Sequence, residues 1–225
     1  MATTPLLTDA FLEFFRELTV NNTNEWFNAN KERYLEVVKK PSELLALAIQ
    51  DKLRTINPDL PLLKASELTF RIYRDVRFSK NKSPYKDHVG MVWCEGGKKS
   101  ELPAWYLHLA PDSAFVAGGL WAPSPAFIKA VRQEIQYNHD EFQALLDTPA
   151  FVKTFGTLEG ESNKKVPVEF QEDLARQPLL ALKQFLMSHK LSNKELTSPK
   201  LIDKVVESYS VALPMLRFLT RAVKS

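Results

Sequence analysis

The sequence predicts an α+β protein: a central antiparallel sheet of about four or more strands, flanked by N-terminal and C-terminal helices, in a single domain over 1–225. Three observations carry this. Apolar residues recur at helical spacing from 8 to 56, alternate with polar ones in short runs between 68 and 121, and return to helical spacing from 124 to 223. The alternating runs follow one another without a helix between them, which implies antiparallel pairing, because a parallel crossover needs a long connection. Three hydroxyl–proline pairs, Ser124-Pro125, Thr148-Pro149 and Ser198-Pro199, supply helix starts in the last part of the chain.

Thr8 or Asp9 caps a first helix with Phe11, Phe15 and Leu18 on one face, and Asn24 caps a second with Phe27, Asn30 and Tyr34. Pro41 suits the first turn of a third, which carries Leu45, Ile49, Leu53 and Ile56 and stops at Asn57-Pro58. Strands follow. Phe70, Ile72, Val76 and Phe78 alternate with Arg71, Tyr73, Asp75 and Arg77, and further short runs lie at 89–94, 105–109 and 114–118. Gly118-Gly119 reads as a strand end where the backbone turns or approaches something closely. Of the later segments, 156–168 is the most loop-like. The last helix carries Leu201, Val205, Tyr209, Ala212, Leu216 and Leu219 as one stripe, with Pro214 expected to kink it.

Composition narrows the function classes. At 225 residues, 44% hydrophobic and 25% charged, with 14 phenylalanines, the chain has the make-up of an ordinary globular protein with a large aromatic core. No window reaches the apolar run a membrane span needs, and the N-terminal residues lack the pattern of a secretory signal, so a cytoplasmic protein without membrane partners is expected. A single cysteine, Cys94, cannot close an internal disulfide. The four histidines show no zinc spacing; no metal or cofactor is expected. The oligomeric state is not written in the sequence, although Trp93, Trp105 or Trp121 would mark an interface if exposed.

The net charge of +3 is unevenly spread. Between Arg71 and Lys86 there are six basic residues and one acid, a local +5 that leaves the remainder at −2. A local field of this kind differs from the basic face over a whole domain that signals general nucleic-acid binding. Arg74 is the odd residue. Strand alternation places it among Phe70, Ile72, Val76 and Phe78, where a guanidinium needs a carboxylate, a bulge that re-aims it, or an anionic ligand. Beyond it the polar turn 79–86 offers Lys82, Lys86, hydroxyls and backbone amides to a phosphate or carboxylate, and Tyr85 a ring for stacking on a base or sugar. Tyr106 and His108 share a strand face nearby, with hydrogen-bonded structure the default reading of His108. Asp75 orients an arginine or serves as a base; an acid between Arg74 and Arg77 stays ionised, which favours the first.

The candidate ligand-binding set is therefore Arg71, Arg74, Asp75, Arg77, Lys82, Tyr85, Lys86, Tyr106 and His108, and the leading expectation is a binding or catalytic pocket for a phosphorylated or other anionic small molecule. A nucleic-acid-binding module and a protein-interaction domain docking an acidic partner are the alternatives. Ser79-x-x-Lys82 and Ser83-x-x-Lys86 match the S-x-x-K string of penicillin-interacting serine enzymes, but the partner elements are missing. Phosphate-loop, dinucleotide, nucleophile-elbow and zincin signatures do not occur.

The block FRIYRDVRFSKNKSPYK, followed by YLHLAP and GGLWAP, resembles the family catalogued as domain of unknown function 2461. The similarity runs from the Asn24-Glu25-Trp26-Phe27 helix start to Val166-Pro167 and implies a single domain. The family's characteristic positions fall here on Arg71, Arg74, Asp75, Arg77, Phe78, Lys82, Pro84, Tyr85, Lys86, Tyr106, His108, Gly118, Gly119 and Arg132. Asn81 stands where an acid is common and Ala117 where a third glycine is common; the first makes this loop more basic. The resemblance implies a site without naming a reaction.

Overall fold

In a computed structural model, residues 4–225 are described. The elements in chain order are α1 (Asp9–Val20), α2 (Asn24–Ala29), α3 (Lys31–Tyr34), a π-helical turn (Leu35–Lys39), α4 (Lys40–Ile56), α5 (Ala65–Leu68), β1 (Val89–Cys94), β2 (Ala104–Leu109), β3 (Ala114–Leu120), α6 (Pro125–Tyr137), α7 (His139–Leu146), α8 (Pro149–Phe155), three short 3₁₀ turns between 168 and 181, β4 (Phe185–Leu191), α9 (Asn193–Leu196) and α10 (Leu201–Lys224). The strands form one antiparallel four-stranded sheet in the order β1-β2-β3-β4, so the α+β architecture holds.

Local chemistry accounts for the element ends. Thr8 is the N-cap residue of α1, and the Thr23 hydroxyl accepts from the Trp26 amide at the start of α2, one residue ahead of the expected Asn24 cap. Ser124 caps α6 in the same way, and Pro125 and Pro149 occupy first turns, where a missing N–H costs nothing. The last helix begins at Leu201, beyond Ser198-Pro199, and Pro214 lies inside it.

The chain divides into two compact units. The first comprises 1–93, 106–116 and 190–206. Its core is aromatic: Phe11, Phe14, Phe15, Leu18, Phe27, Leu45, Ile49 and Leu53 are all buried, and Phe14 makes edge or tilted contacts with Phe15, Trp26, Phe27 and Tyr34. Each such side chain contributes about 1.5–3 kcal/mol on burial. The second unit comprises 94–105, 117–189 and 207–225. There Trp105 packs edge-on against Phe155 and Tyr209, and Phe142 against Phe218.

Two sequence expectations are corrected. The run 70–78 is no regular strand: Thr69 bridges Met91 at the sheet edge, then the chain leaves it, and Tyr73 bridges Tyr85 instead. Arg74 donates its amide to the Pro84 carbonyl and Lys86 to that of Ile72, so 72–74 and 84–86 form a narrow excursion. Pro84 has no amide to offer a ladder, and the polar turn beyond Arg77 has no apolar face to bury. The C-terminal half is not purely helical, because Phe185–Leu191 forms β4, with Phe185, Met187 and Leu191 buried. Of the three tryptophans that would mark an interface if exposed, Trp93 and Trp105 belong to the core and Trp121 is exposed.

Gly118 and Gly119 lie within β3. At Gly119, φ is +121°, and a Cβ there would overlap the carbonyl of Phe185 on β4. Only glycine lets the two backbones approach this closely.

Candidate functional site

All nine sequence-predicted site residues belong to the first compact unit. They fall into two groups, one on the excursion 70–86 and one on the sheet face beside it. The alternation expected for 71–77 survives without a strand: Arg71, Tyr73, Asp75 and Arg77 are exposed, Ile72 is buried, and Arg74 and Val76 are half-buried. Phe78 breaks the pattern at 95% exposure, with the Arg77 guanidinium over its ring.

The excursion is tied down by its own side chains. Arg77 forms a two-pronged pair with Asp75, at 3.0 and 2.7 Å, and that guanidinium holds the Asp75 carboxyl at about 2, well below the usual range. Asp75 is thus an orienting partner rather than a base. Lys82 donates to the Val76 carbonyl at 2.9 Å, and the Asn81 side chain accepts from the Ser83 amide. Arg74 reaches only the Ser79 hydroxyl, at 3.5 Å, and has no carboxylate within ion-pair distance among the described residues. The structural ion pair that would have explained it is not formed.

Tyr85 corrects another expectation. It is buried, stacked on Phe27 at 4.0 Å and 16°, and its hydroxyl donates to Asn24; Asn22 bonds both its amide and its carbonyl. Its ring is occupied by the protein and is not available to a ligand. Arg132, a characteristic family position, is likewise internal: in the second unit it is buried and donates to the Leu180 and Leu182 carbonyls.

The sheet face carries the second group. Strand alternation on β2 turns Tyr106 and His108 to one side and Trp105, Leu107 and Leu109 to the other. Gly90 of β1 lies under the Tyr106 hydroxyl, where a Cβ would come within 2.6 Å of it. Phe70 contacts the Tyr106 ring, and the Lys86 ammonium sits 5.4 Å from the Phe70 centroid, linking the end of the basic segment to this face. The His108 ring is enclosed between His88, at 4.1 Å, and Phe115, at 4.8 Å and nearly parallel. Its Nδ1 is 3.1 Å from the Tyr106 hydroxyl, and His88 Nδ1 is 2.8 Å from Asp87.

Burial, and then the neighbouring His88, lowers the His108 pKa to about 4, so it is neutral at pH 7. Burial raises that of Tyr106 to about 12. Partial burial alone would raise Asp87, but the hydrogen bond with His88 and the nearby imidazoles outweigh it and hold the carboxyl below its ordinary value. A pocket of about 360 Å³ opens beside this cluster, lined by Arg16, Thr19, Asp87, His108, Asp112 and Ser113. Arg16 and Asp112 pair at 3.3 Å across exposed positions. The side chains of 71–86 do not line it, so the basic segment is an open surface bordering a pocket rather than the pocket itself.

Asp87 and His88 escaped the sequence reading. The available signal was their place just after the basic block, with His88 directly ahead of the first residue of β1; the pairing of β1 with β2 that sets His88 against His108 is not legible locally. Among the described residues no group of three His, Cys, Asp or Glu side chains could hold a metal ion.

Neither the curated proteins nor the solved structures yield a match to this chain. The family described as conserved hypothetical protein, DUF2461, matches residues 10–218. The match spans nearly the whole sequence and includes every element from α1 through most of α10; the chain belongs to this family.

Proposed function

We propose that the protein binds a phosphorylated or otherwise anionic small molecule on the excursion that carries Arg71, Arg74 and Lys86, with Tyr106 and His108 on the adjoining sheet face. The observation that supports this reading is Arg74, a half-buried guanidinium whose charge no carboxylate among the described residues offsets. Removing a charge from water is costly unless it is paired, and an anion gripped by a guanidinium fork supplies the missing partner. Arg77 is committed to Asp75 and Tyr85 to Phe27, so neither serves the ligand. The single buried thiol, Cys94, fits a cytoplasmic setting.

The test is a thermal shift with inorganic phosphate and nucleoside monophosphates on wild type and Arg74→Ala. A ligand at 100 times its Kd stabilises by about 2.7 kcal/mol, a rise in Tm of about 5–10 °C for a chain of this size. Wild type should show the rise and Arg74→Ala should lose it while keeping its unliganded Tm. No shift with any anion would overturn the reading; an Arg74→Ala protein that merely unfolds would make the arginine a structural residue.

A second reading rests on Phe78. A fully exposed aromatic beside Arg77, Lys80 and Lys82 is the pairing of stacking surface and cations that single-stranded nucleic acid uses. The modest total charge weighs against it.

A further inference from the structure

The geometry points to a peripheral membrane-docking tip: Phe78, flanked by Arg77, Lys80 and Lys82, enters the interface of a bilayer that carries anionic phospholipids. This surface is the far end of the excursion and stands apart from the anion-binding reading, which uses its base. Tyr73 bridges Tyr85, and the chain runs out and back between them. Lys82 closes the loop by donating to the Val76 carbonyl at 2.9 Å, and Asn81 fixes the return by accepting from the Ser83 amide. A carbonyl neutralises nothing, so Lys82 keeps its charge in that bond. Phe78 stands in this closed loop at 95% exposure. A singly exposed aromatic is commonplace; here the ring is held out among cations, with no acid between 76 and 86.

Charge complementarity selects an anionic partner, and shape selects among such partners. Arg77, Phe78, Lys80, Asn81 and Lys82 are all exposed, and the tip does not line the pocket beside His108, so it offers a convex surface with one free ring. A stable protein interface buries about 800 Å² on each side, drawn from roughly 20–30 residues, far more than the loop 76–82 presents. A single strand of nucleic acid stacks successive bases on successive rings. The next ring along the excursion, Tyr73, already packs against Tyr85 and Phe27, at 5.4 and 6.4 Å, and the Arg77 guanidinium lies over Phe78 at 5.8 Å, so the rings form no continuous platform.

A bilayer interface demands neither a groove nor a register. An aromatic ring enters the boundary between headgroups and acyl chains while lysine and arginine stay among the phosphates. Fields fall off over about 8 Å at physiological ionic strength, so the membrane meets the local +5 of 71–86 rather than the +3 of the whole chain. One apolar and one electrostatic contribution together give reversible attachment. No helix among the described residues is long and apolar enough to cross a membrane, and docking of this kind requires none. A peripheral membrane partner thus replaces the expectation of none, which rested on the lack of a spanning run.

The experiment floats the full chain with vesicles of phosphatidylcholine, alone or with about 30% phosphatidylserine. Wild type should partition at least about tenfold more strongly into the anionic vesicles. Phe78→Ala should weaken that partitioning about tenfold, through loss of a partly buried ring. Lys80→Glu combined with Lys82→Glu should weaken it about 100-fold or more, since each cation near the surface contributes about fivefold. These positions are exposed, so the unliganded Tm should match wild type. Phe78→Trp should be quenched by lipids brominated on their acyl chains beyond the signal of the four native tryptophans. Vesicle binding that Phe78→Ala does not weaken, or a Phe78→Trp signal that brominated chains leave unquenched, overturns the assignment. Binding that inorganic phosphate displaces at matched ionic strength means a headgroup held at the Arg74 site; it overturns the tip and supports the anion-binding reading. Absence of vesicle binding overturns the tip outright, and a single-stranded oligonucleotide that binds wild type but not Phe78→Ala would then claim it.

Discussion

His108 shows how a residue's surroundings convert into a measurable pH dependence. Its folded-state pKa, about 4, lies below the ordinary histidine value of 6.5, so the unfolded chain binds its proton first as pH falls. The stability it contributes is complete above about pH 6.5, falls through the interval down to pH 4 and levels off below it, a loss of order 1–3 kcal/mol. Urea denaturation from pH 4 to 7.5 checks this: His108→Gln should flatten that part of the profile, and an unchanged slope would show that the ring titrates normally. Tyr85 is the opposite case, a residue with the chemistry of a ligand platform that the core has absorbed. Tyr85→Phe should cost about 0.5–1.5 kcal/mol through the lost bond to Asn24, and Tyr85→Ala about 3–5 kcal/mol. Tyr85→Phe should leave anion stabilisation intact, as read by thermal shift; a loss there would return the ring to the site.

Among the elements, β3 and the excursion 70–86 illustrate two ways a short run of sequence acquires its conformation. Gly119 joins β3 to β4 by backbone proximity alone, and any side chain would have to displace the Phe185 carbonyl. Gly119→Ala should therefore cost about 3 kcal/mol or more, visible as a fall in the urea midpoint; a change under 0.5 kcal/mol would mean the strands part easily. Gly90 makes a subtler test. Gly90→Ala pushes a methyl against the Tyr106 hydroxyl and should release it from His108, seen as a shift of the His108 titration without loss of fold. The excursion, by contrast, keeps the alternation of a strand but pairs with itself, because its partner across Tyr73 is Tyr85 and not a sheet strand.

For the whole molecule, the decisive quantity is where the charge lies rather than its total. The net +3 conceals a segment of +5 against a remainder of −2. Arg77 is neutralised by Asp75, which leaves five basic side chains of 71–86 outside that pair. If the segment gripped single-stranded nucleic acid with all of them, log K should fall against log salt with a slope of about −3.5. The small-molecule reading expects a shallower slope and selectivity among phosphates. Fluorescence anisotropy with a labelled oligonucleotide between 50 and 300 mM salt separates the two, and a slope near the full value with no base preference would favour the nucleic-acid reading.

The sequence by itself determined the α+β class, the helices at both ends, the sheet segments 89–94, 105–109 and 114–118, and the basic segment 71–86, because hydrophobic period, caps, prolines and charge are local quantities. It also singled out Arg74, Tyr106 and His108 by their residue types on alternating faces. Only the tertiary structure decided that Tyr85 is core, that Asp75 holds Arg77, that Phe185–Leu191 is a strand, and that His88 packs against His108 beside a pocket. Those outcomes depend on which strands pair and in what register. Pairing is fixed by packing between residues far apart in the chain, and no local pattern records it.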